Sequence, residues 1–176
     1  DPFHAHDRIP RLEELTNAIE FEPVFRAKLP RQVYNYTAYG TDGEFTLRRN
    51  RQAFDWVRLV PDGMGGGGTP STALTLFGTD LAYPLLISPT AAHLALHPEG
   101  EAGTHQGATA AANTPMIVSN VASMPIEKIA AAAAGPLWFQ LYPKEDAATN
   151  RETLARAQGA GCKAVVVTID QQAAVV

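Results

Sequence analysis

Cysteine is almost absent from this chain: among its 176 residues only Cys162 carries a thiol. A single cysteine excludes an internal disulfide framework, so the folded state must depend on its apolar core. We expect Cys162 itself to be a small buried residue at the start of a strand, which is the common environment of a free cysteine.

Apolar stretches of about 20 residues are missing as well, so no membrane span is predicted. Neither charge is in large excess, since 14 Lys and Arg face 18 Asp and Glu for a net charge of -4. This balance gives no reason to expect nucleic acid or an anionic membrane surface as a partner. We expect a cytoplasmic protein, or an exported one if a leader preceded Asp1.

Residues 1–80 predict an N-terminal helical segment followed by a rim loop. The stretch "EFTLRRNRQAFDW" is typical of a charged helix, and we expect Leu47 and Phe54 to point inward. Four earlier apolar side chains fall roughly on one helical face: Leu12, Leu15, Ile19 and Phe21. The run of glycines in "PDGMGGGGTPS" indicates a flexible loop, because a phosphate-binding loop would require a preceding strand and a following Gly-Lys-Ser/Thr.

Residues 81–176 alternate between strands and helices. Four short apolar runs begin near residues 84, 115, 137 and 163, and three helical patterns separate them. We expect Ser123 to cap the second helix, Gly135 to end it, and Asp146 or Asn150 to cap the third. Continuous apolar strands alternating with helices indicate an α/β fold with a parallel sheet. An open doubly wound sheet and a (β/α)₈ barrel both fit this pattern.

Each apolar run ends in polar or small residues. The four ends are Ser88-Pro89-Thr90, Ser119-Asn120, Gln140-Leu141-Tyr142 and Thr168-Ile169-Asp170. Both architectures bind ligands at the carboxyl ends of their strands, so the pattern predicts a site there. Gln140 and Tyr142 would point to the same side of their strand, offering an amide and a phenol. No G-x-G-x-x-G fingerprint follows the first strand, which disfavours a Rossmann-type dinucleotide site.

Several of these stretches, taken in order, resemble one known family. They are "LPRQVYNYTAYGTDGEFTLRRNRQAF", "PLLISPTAAHLALHPEGE", "FQLYPKED" and "AVVVTID", which together span roughly residues 28 to 170. The combination is similar to that of the FMN-dependent α-hydroxy acid oxidases and dehydrogenases, which include glycolate oxidase, lactate oxidase and mandelate dehydrogenase. The resemblance implies a (β/α)₈ TIM barrel with FMN at its carboxyl mouth. This chain would contribute the N-terminal segment and the first four βα units, with residues 81–176 as the first half of the barrel.

The resemblance also implies roles for individual residues. The backbone of Pro89, Thr90 and Ala91 would lie against the reactive N5 side of the flavin. Three side chains would hydrogen-bond the flavin: Ser119, Gln140 and Thr168. Three others would serve the substrate and the reaction: Tyr36 would bind the substrate carboxylate, Tyr142 would contact the substrate near its hydroxyl, and Asp170 would orient and charge-stabilise a catalytic histidine.

The same resemblance places the catalytic histidine, a substrate-binding arginine and a lysine near flavin N1 on later strands. We therefore expect three partners: a small 2-hydroxy acid, the remaining half of the barrel from the same or a second polypeptide, and further copies in a homo-oligomer. No metal is expected. Two alternatives remain open at this point: a non-catalytic half barrel completed by a second polypeptide, and another FMN- or phosphate-dependent barrel enzyme.

Overall fold

The computed structural model describes residues 9–61, 63, 65 and 67–170. The chain divides into two compact units, Asp1–Gly67 and Gly68–Val176. The division falls within the glycine run, where the absence of side chains leaves the backbone little to pack with.

All regular elements described in the first unit are helical. Its regular elements are the 3₁₀ turns Leu12–Glu14, Ala18–Glu20 and Ala53–Trp56 and the helices α1 (Phe21–Lys28), α2 (Arg31–Ala38) and α3 (Phe45–Gln52). No described residue of this unit is fully buried. The expectation that Leu47 and Phe54 point inward is wrong within this unit, since their exposed fractions are 44% and 78%. Helices this short form no dry core among themselves, so their apolar side chains stay at the surface.

The second unit contains the parallel sheet. Its helices are α4 (Gly100–Ala112), α5 (Ile126–Ala132) and α6 (Ala147–Gly159), with a 3₁₀ turn at His93–Ala95. Its strands are β1 (Leu74–Leu76), β2 (Thr79–Leu81), β3 (Met116–Val118), β4 (Leu137–Leu141) and β5 (Val165–Val167). Strands β1 and β2 form an antiparallel hairpin, and β3, β4 and β5 form a parallel sheet in that order. The predicted alternation of strands and helices with a parallel sheet is confirmed.

The core lies between the sheet and its helices. Leu137, Phe139 and Leu141 on β4 pack with apolar residues of β3, α5 and α6, and all three are buried. The buried ring of His105 ties α4 to α5, because its two ring nitrogens lie 2.9 and 3.1 Å from the carbonyl oxygens of Ile129 and Gly135. Successive side chains of a strand point to opposite faces of the sheet, so the other two residues of β4 face away from these helices.

The hairpin covers part of that second face of the sheet. The indole Nε1 of Trp138 donates to Thr79 Oγ1 at 3.4 Å, and the ring of Phe77 meets the indole edge-on with centroids 5.5 Å apart. These contacts with the hairpin help to bury Trp138. The five residues of β4 are therefore buried on both faces, as expected of a central parallel strand.

Two local expectations need correction. The predicted first strand is reduced to one parallel bridge between Ile87 and Met116, since Pro84 and Pro89 flank it and cannot donate to a ladder. Helix α5 begins at Ile126 with Pro125 at its N-cap, so Ser123 does not cap it. In contrast, Asp146 caps α6 as predicted, accepting hydrogen bonds from the backbone N–H groups of Ala148 and Thr149.

The free thiol of Cys162 lies just before β5 and is half-buried. Burial raises the pKa of this thiol to about 11, so it is a neutral packing group at physiological pH. None of the helices in the described ranges has the length and apolar character that crossing a bilayer requires.

Candidate functional site

A chain of hydrogen bonds joins the carboxyl ends of three adjacent strands, with the amide of Gln140 at its centre. The Oε1 atom of Gln140 accepts from Ser119 Oγ at 3.3 Å and from the backbone N–H of Asn120 at 3.1 Å. On its other side, Nε2 donates to Thr168 Oγ1 at 2.8 Å. The structure thus brings together Ser119, Gln140 and Thr168, three of the residues predicted to form the site.

The position of Gln140 follows from the alternation of β4. It lies one residue beyond the core residue Phe139, on the face that points away from α5 and α6. Its exposed fraction is only 2%, and an amide buried without partners would cost several kcal/mol. The partners of its amide come from the residues directly after β3 and β5, so the network fixes the strand ends relative to one another.

The network keeps donors for a bound ring. The Nε2 group of Gln140 has two N–H groups and uses one on Thr168. The hydroxyl of Thr168 accepts that bond and retains its own hydrogen, and Thr168 is half-buried rather than closed off. The pyrimidine edge of a flavin presents two carbonyl acceptors and one N–H, so this donor set fits that edge.

The predicted flavin-facing loop, residues 88–92, begins beside β3. Ile87 accepts from the backbone N–H of Ile117 at 3.0 Å, which sets the loop next to the residues that follow β3. In this loop Pro89 and Ala91 are half-buried and Thr90 is exposed. The loop ends at Ala92, whose φ of 59° is left-handed and costs a residue with a Cβ about 1–2 kcal/mol.

Glu101, a buried carboxylate close to the end of this loop, was not identified from the sequence. Glu101 has no exposed surface, and it accepts from the backbone N–H groups of His93 at 3.2 Å and Ser123 at 2.8 Å. The hydroxyl of Ser123 lies 2.8 and 2.9 Å from its two oxygens. Burial alone would raise the pKa of the Glu101 carboxyl, but the hydrogen bonds from Ser123 and His93 outweigh burial and lower it.

A helical spacing could have identified Glu101. It shares the buried side of α4 with His105 and Ala108, which follow at the spacings that place residues on one helical face. An acidic residue on the inward face of an alanine-rich helix indicates a polar partner in the fold. Ser123 offered no such signal, because a serine before a helix is most simply a cap.

The remaining predicted site residues lie outside this network. Tyr142 follows β4 and is half-buried, and Asp170 is exposed. Within residues 67–170 the Asp170 carboxylate forms no hydrogen bond or ion pair. Tyr36 belongs to the first unit, on α2, where its side chain is 88% exposed. The roles assigned to Tyr36, Tyr142 and Asp170 therefore stay predictions.

The family model of FMN-dependent dehydrogenases matches residues 25–175 of this chain. Glycolate oxidase 3 of Arabidopsis thaliana is 36% identical over 157 residues, which cover 89% of this chain and 42% of that protein. Glycolate oxidase of Spinacia oleracea is also 36% identical over 157 residues, with the same coverage. This chain thus spans less than half the length of these relatives.

Solved structures agree with the sequence comparison. A lactate oxidase structure from Pediococcus acidilactici matches with a TM-score of 0.83 and 32% identity, covering 89% of this chain and 44% of that one. A mandelate oxidase structure matches with a TM-score of 0.80 and 32% identity, covering 87% and 44%. With most of its length matched by the family model and by these structures, the chain belongs to the FMN-dependent dehydrogenase family.

Proposed function

We propose that this protein uses FMN to oxidise a small L-2-hydroxy acid to the corresponding 2-keto acid. The observation that carries the proposal is the buried network of Ser119, Gln140 and Thr168 at the carboxyl edge of the sheet. Membership of the FMN-dependent dehydrogenase family supports the choice of cofactor. The names of the glycolate, mandelate and lactate oxidases that resemble this chain support the substrate class.

The proposed complete fold is a (β/α)₈ barrel, in which residues 81–176 supply the first half. The parallel order of β3, β4 and β5 and the helices between them suit such a barrel. The other half comes from the same or a second polypeptide. It is needed because Val165 and Val167 on β5 remain about half exposed in this chain.

In this proposal the strand-end network holds the ring of FMN. The second N–H of Gln140 and the hydroxyl of Thr168 donate to the ring carbonyls, while Ser119 fixes the amide of Gln140. The backbone of Pro89, Thr90 and Ala91 forms the wall beside the ring. When bound, FMN supplies the acceptor for the hydride that leaves the α-carbon of the substrate.

The other predicted residues handle the substrate. Tyr36 binds the substrate carboxylate through its phenol, and Tyr142 donates a hydrogen bond near the substrate hydroxyl. A histidine from a later strand accepts the hydroxyl proton as the hydride leaves. Asp170 holds that imidazole in position and stabilises the positive charge that it gains.

The test uses the natural protein at its natural length, purified without added flavin. We expect absorption bands near ~375 and ~450 nm, which belong to oxidised flavin. Under anaerobic conditions the ~450 nm band should bleach on addition of at least one of L-lactate, glycolate or L-mandelate. A flavin-free protein that cannot be loaded with FMN would contradict the cofactor. A loaded protein that bleaches with none of the three acids would contradict the substrate class and favour another FMN-dependent barrel enzyme.

A further inference from the structure

Two loops that border the proposed flavin site converge on the first turn of α4. The first loop, residues 88–92, leads from Ile87 to His93, and the second loop, residues 119–125, leads from β3 to α5. Each loop is held at its start by the sheet. Glu101 holds the first loop at its far end, through His93, and the second loop at Ser123.

The contacts of Glu101 divide between the two loops. Its Oε1 atom accepts from the backbone N–H of His93, directly after the first loop, and from the backbone N–H of Ser123 in the second. The hydroxyl of Ser123 donates to Glu101 and accepts from the backbone N–H of Leu94 at 3.0 Å. Ser123 thus joins the carboxylate and both loops in one cluster.

The packing around Gly100 gives independent support. Gly100 has a φ of 53°, and a Cβ at this position would lie 2.9 Å from side-chain atoms of Leu94 and Met124. Leu94 follows the first loop and Met124 belongs to the second. Only glycine allows both loops to approach the start of α4 this closely.

The free-energy cost of this arrangement indicates that the positions of the two loops matter. A carboxylate without exposed surface is expensive to bury, and within residues 67–170 no lysine or arginine forms an ion pair with Glu101. The first loop also contains Ala92 in a left-handed conformation, which the hydrogen bond to the neighbouring His93 N–H helps to retain. Strained residues persist only where their surroundings fix them.

We propose that Glu101 is a positioning residue for the flavin site: with Ser123 it clamps the first and second loops together and so fixes Pro89–Ala91 and Ser119 in their flavin-binding positions. The clamp does not touch the cofactor itself. The inference rests on the proposed function for its ligand, but the clamp is a property of this chain's own residues.

The test compares E101A, E101Q and S123A in the natural protein, with E127A as the matched control. Glu127 is another hydrogen-bonded glutamate, but its carboxylate pairs with Arg156 on α6 at an exposed surface rather than with either loop. The dissociation constant for FMN is measured by flavin fluorescence after reconstitution of the apoprotein. Hydrogen exchange is measured at the amides of His93, Leu94 and Ser123.

We expect E101A to weaken FMN binding about tenfold or more, the scale of losing hydrogen bonds to a charged group. E101Q should regain most of the lost affinity, because its Oε1 can accept the same N–H groups and its Nε2 can donate to Ser123 Oγ. S123A should weaken FMN binding by a smaller factor and speed exchange at Leu94. E127A should match the parent in both measurements.

Each other outcome counts against the clamp. Parental FMN affinity in a folded E101A protein would overturn it, even if the variant unfolds at a lower temperature. Equal losses in E101A and E101Q would show that charge acts rather than loop geometry. If E101A does not fold, the S123A variant provides the test. Parental hydrogen exchange at Leu94 together with parental FMN affinity in S123A would then overturn the proposal. If the parent binds no FMN, the proposed function fails, and the exchange data on S123A alone decide the clamp.

Discussion

Strands β4 and β5 lie side by side with similar apolar sequences, but their environments differ. Every residue of β4 is buried, whereas Val165 and Val167 on β5 are 47% and 50% exposed. β4 has a hydrogen-bonded neighbour on each side and helices α5 and α6 on one face, while β5 is paired only with β4 in the described sheet. Burial of a parallel strand is therefore set by its neighbours, and the exposed valines of β5 are the surface on which we propose that the rest of the barrel packs.

The largest effect is expected at the edge strand β5 of the described sheet. We predict that residues 1–176 expressed alone do not form a stable monomer, because β5 offers an unpaired apolar edge for association. Size-exclusion chromatography with light scattering and thermal unfolding by circular dichroism measure this. A monodisperse monomer with a cooperative unfolding transition would contradict the prediction and imply that β5 needs no neighbour.

The second prediction concerns the residue at the end of β5, Asp170. Asp170→Asn removes the charge without changing the shape, so flavin reduction should slow by roughly 10²–10⁴-fold, the range of a general acid–base contribution. Substrate binding should weaken far less. Anaerobic stopped-flow absorbance separates the two. Reduction at the parental rate would show that the carboxylate is only a polar strand end.

The third prediction compares the two strands through their core-facing positions. Phe139→Ala on β4 should lower the free energy of unfolding by about 3–5 kcal/mol, since it empties a site buried against α5 and α6. Val167→Ala on β5 removes two methyl groups from a side chain that is half exposed among the described residues, so its cost depends on whether further structure covers β5.

The same pair gives a sharper test in the natural protein. If further structure covers β5, Val167→Ala should lower the free energy of unfolding of the natural protein by about 1–2 kcal/mol, the scale of two buried methyl groups. Urea unfolding of both variants measures the two costs. A cost of Val167→Ala close to zero would show that this surface stays open to solvent.

The smallest effect is expected at Tyr142, directly after β4. Tyr142→Phe removes one hydroxyl, so turnover should decrease by about tenfold, consistent with the loss of one substrate hydrogen bond. FMN affinity should be unchanged, because Tyr142 lies outside the network of Gln140. Steady-state kinetics and flavin fluorescence measure the two quantities. Loss of the flavin would place Tyr142 on the cofactor side instead.

Local signals were sufficient for much of the fold. The strand-helix alternation, the parallel sheet and the Asp146 cap were predictable, because each depends on residues close in sequence. The convergence of Ser119, Gln140 and Thr168 was predictable because parallel strands bring their carboxyl ends to one edge. The identity of the expected ligand, FMN, came from the resemblance to the family.

Tertiary contacts account for what sequence missed. Ser123 carries a capping sequence signal, but the buried Glu101 binds its hydroxyl from another helix. The predicted first strand is only a bridge at Ile87, because two prolines limit its hydrogen-bonded ladder. Leu47 and Phe54 stay exposed because the described part of the first unit contains no buried core into which they could pack.

The burial of Trp138 should give the protein an intrinsic fluorescence signal for cofactor binding. Its indole is 4% exposed, whereas Trp56 is 63% exposed, so the two residues should emit at different wavelengths. Trp138 lies two residues before Gln140 on one extended strand, on the order of 7 Å along the backbone. A flavin held by Gln140 absorbs where a buried indole emits, and so close an acceptor should quench Trp138 selectively. Loading with FMN should therefore remove the blue component of the emission.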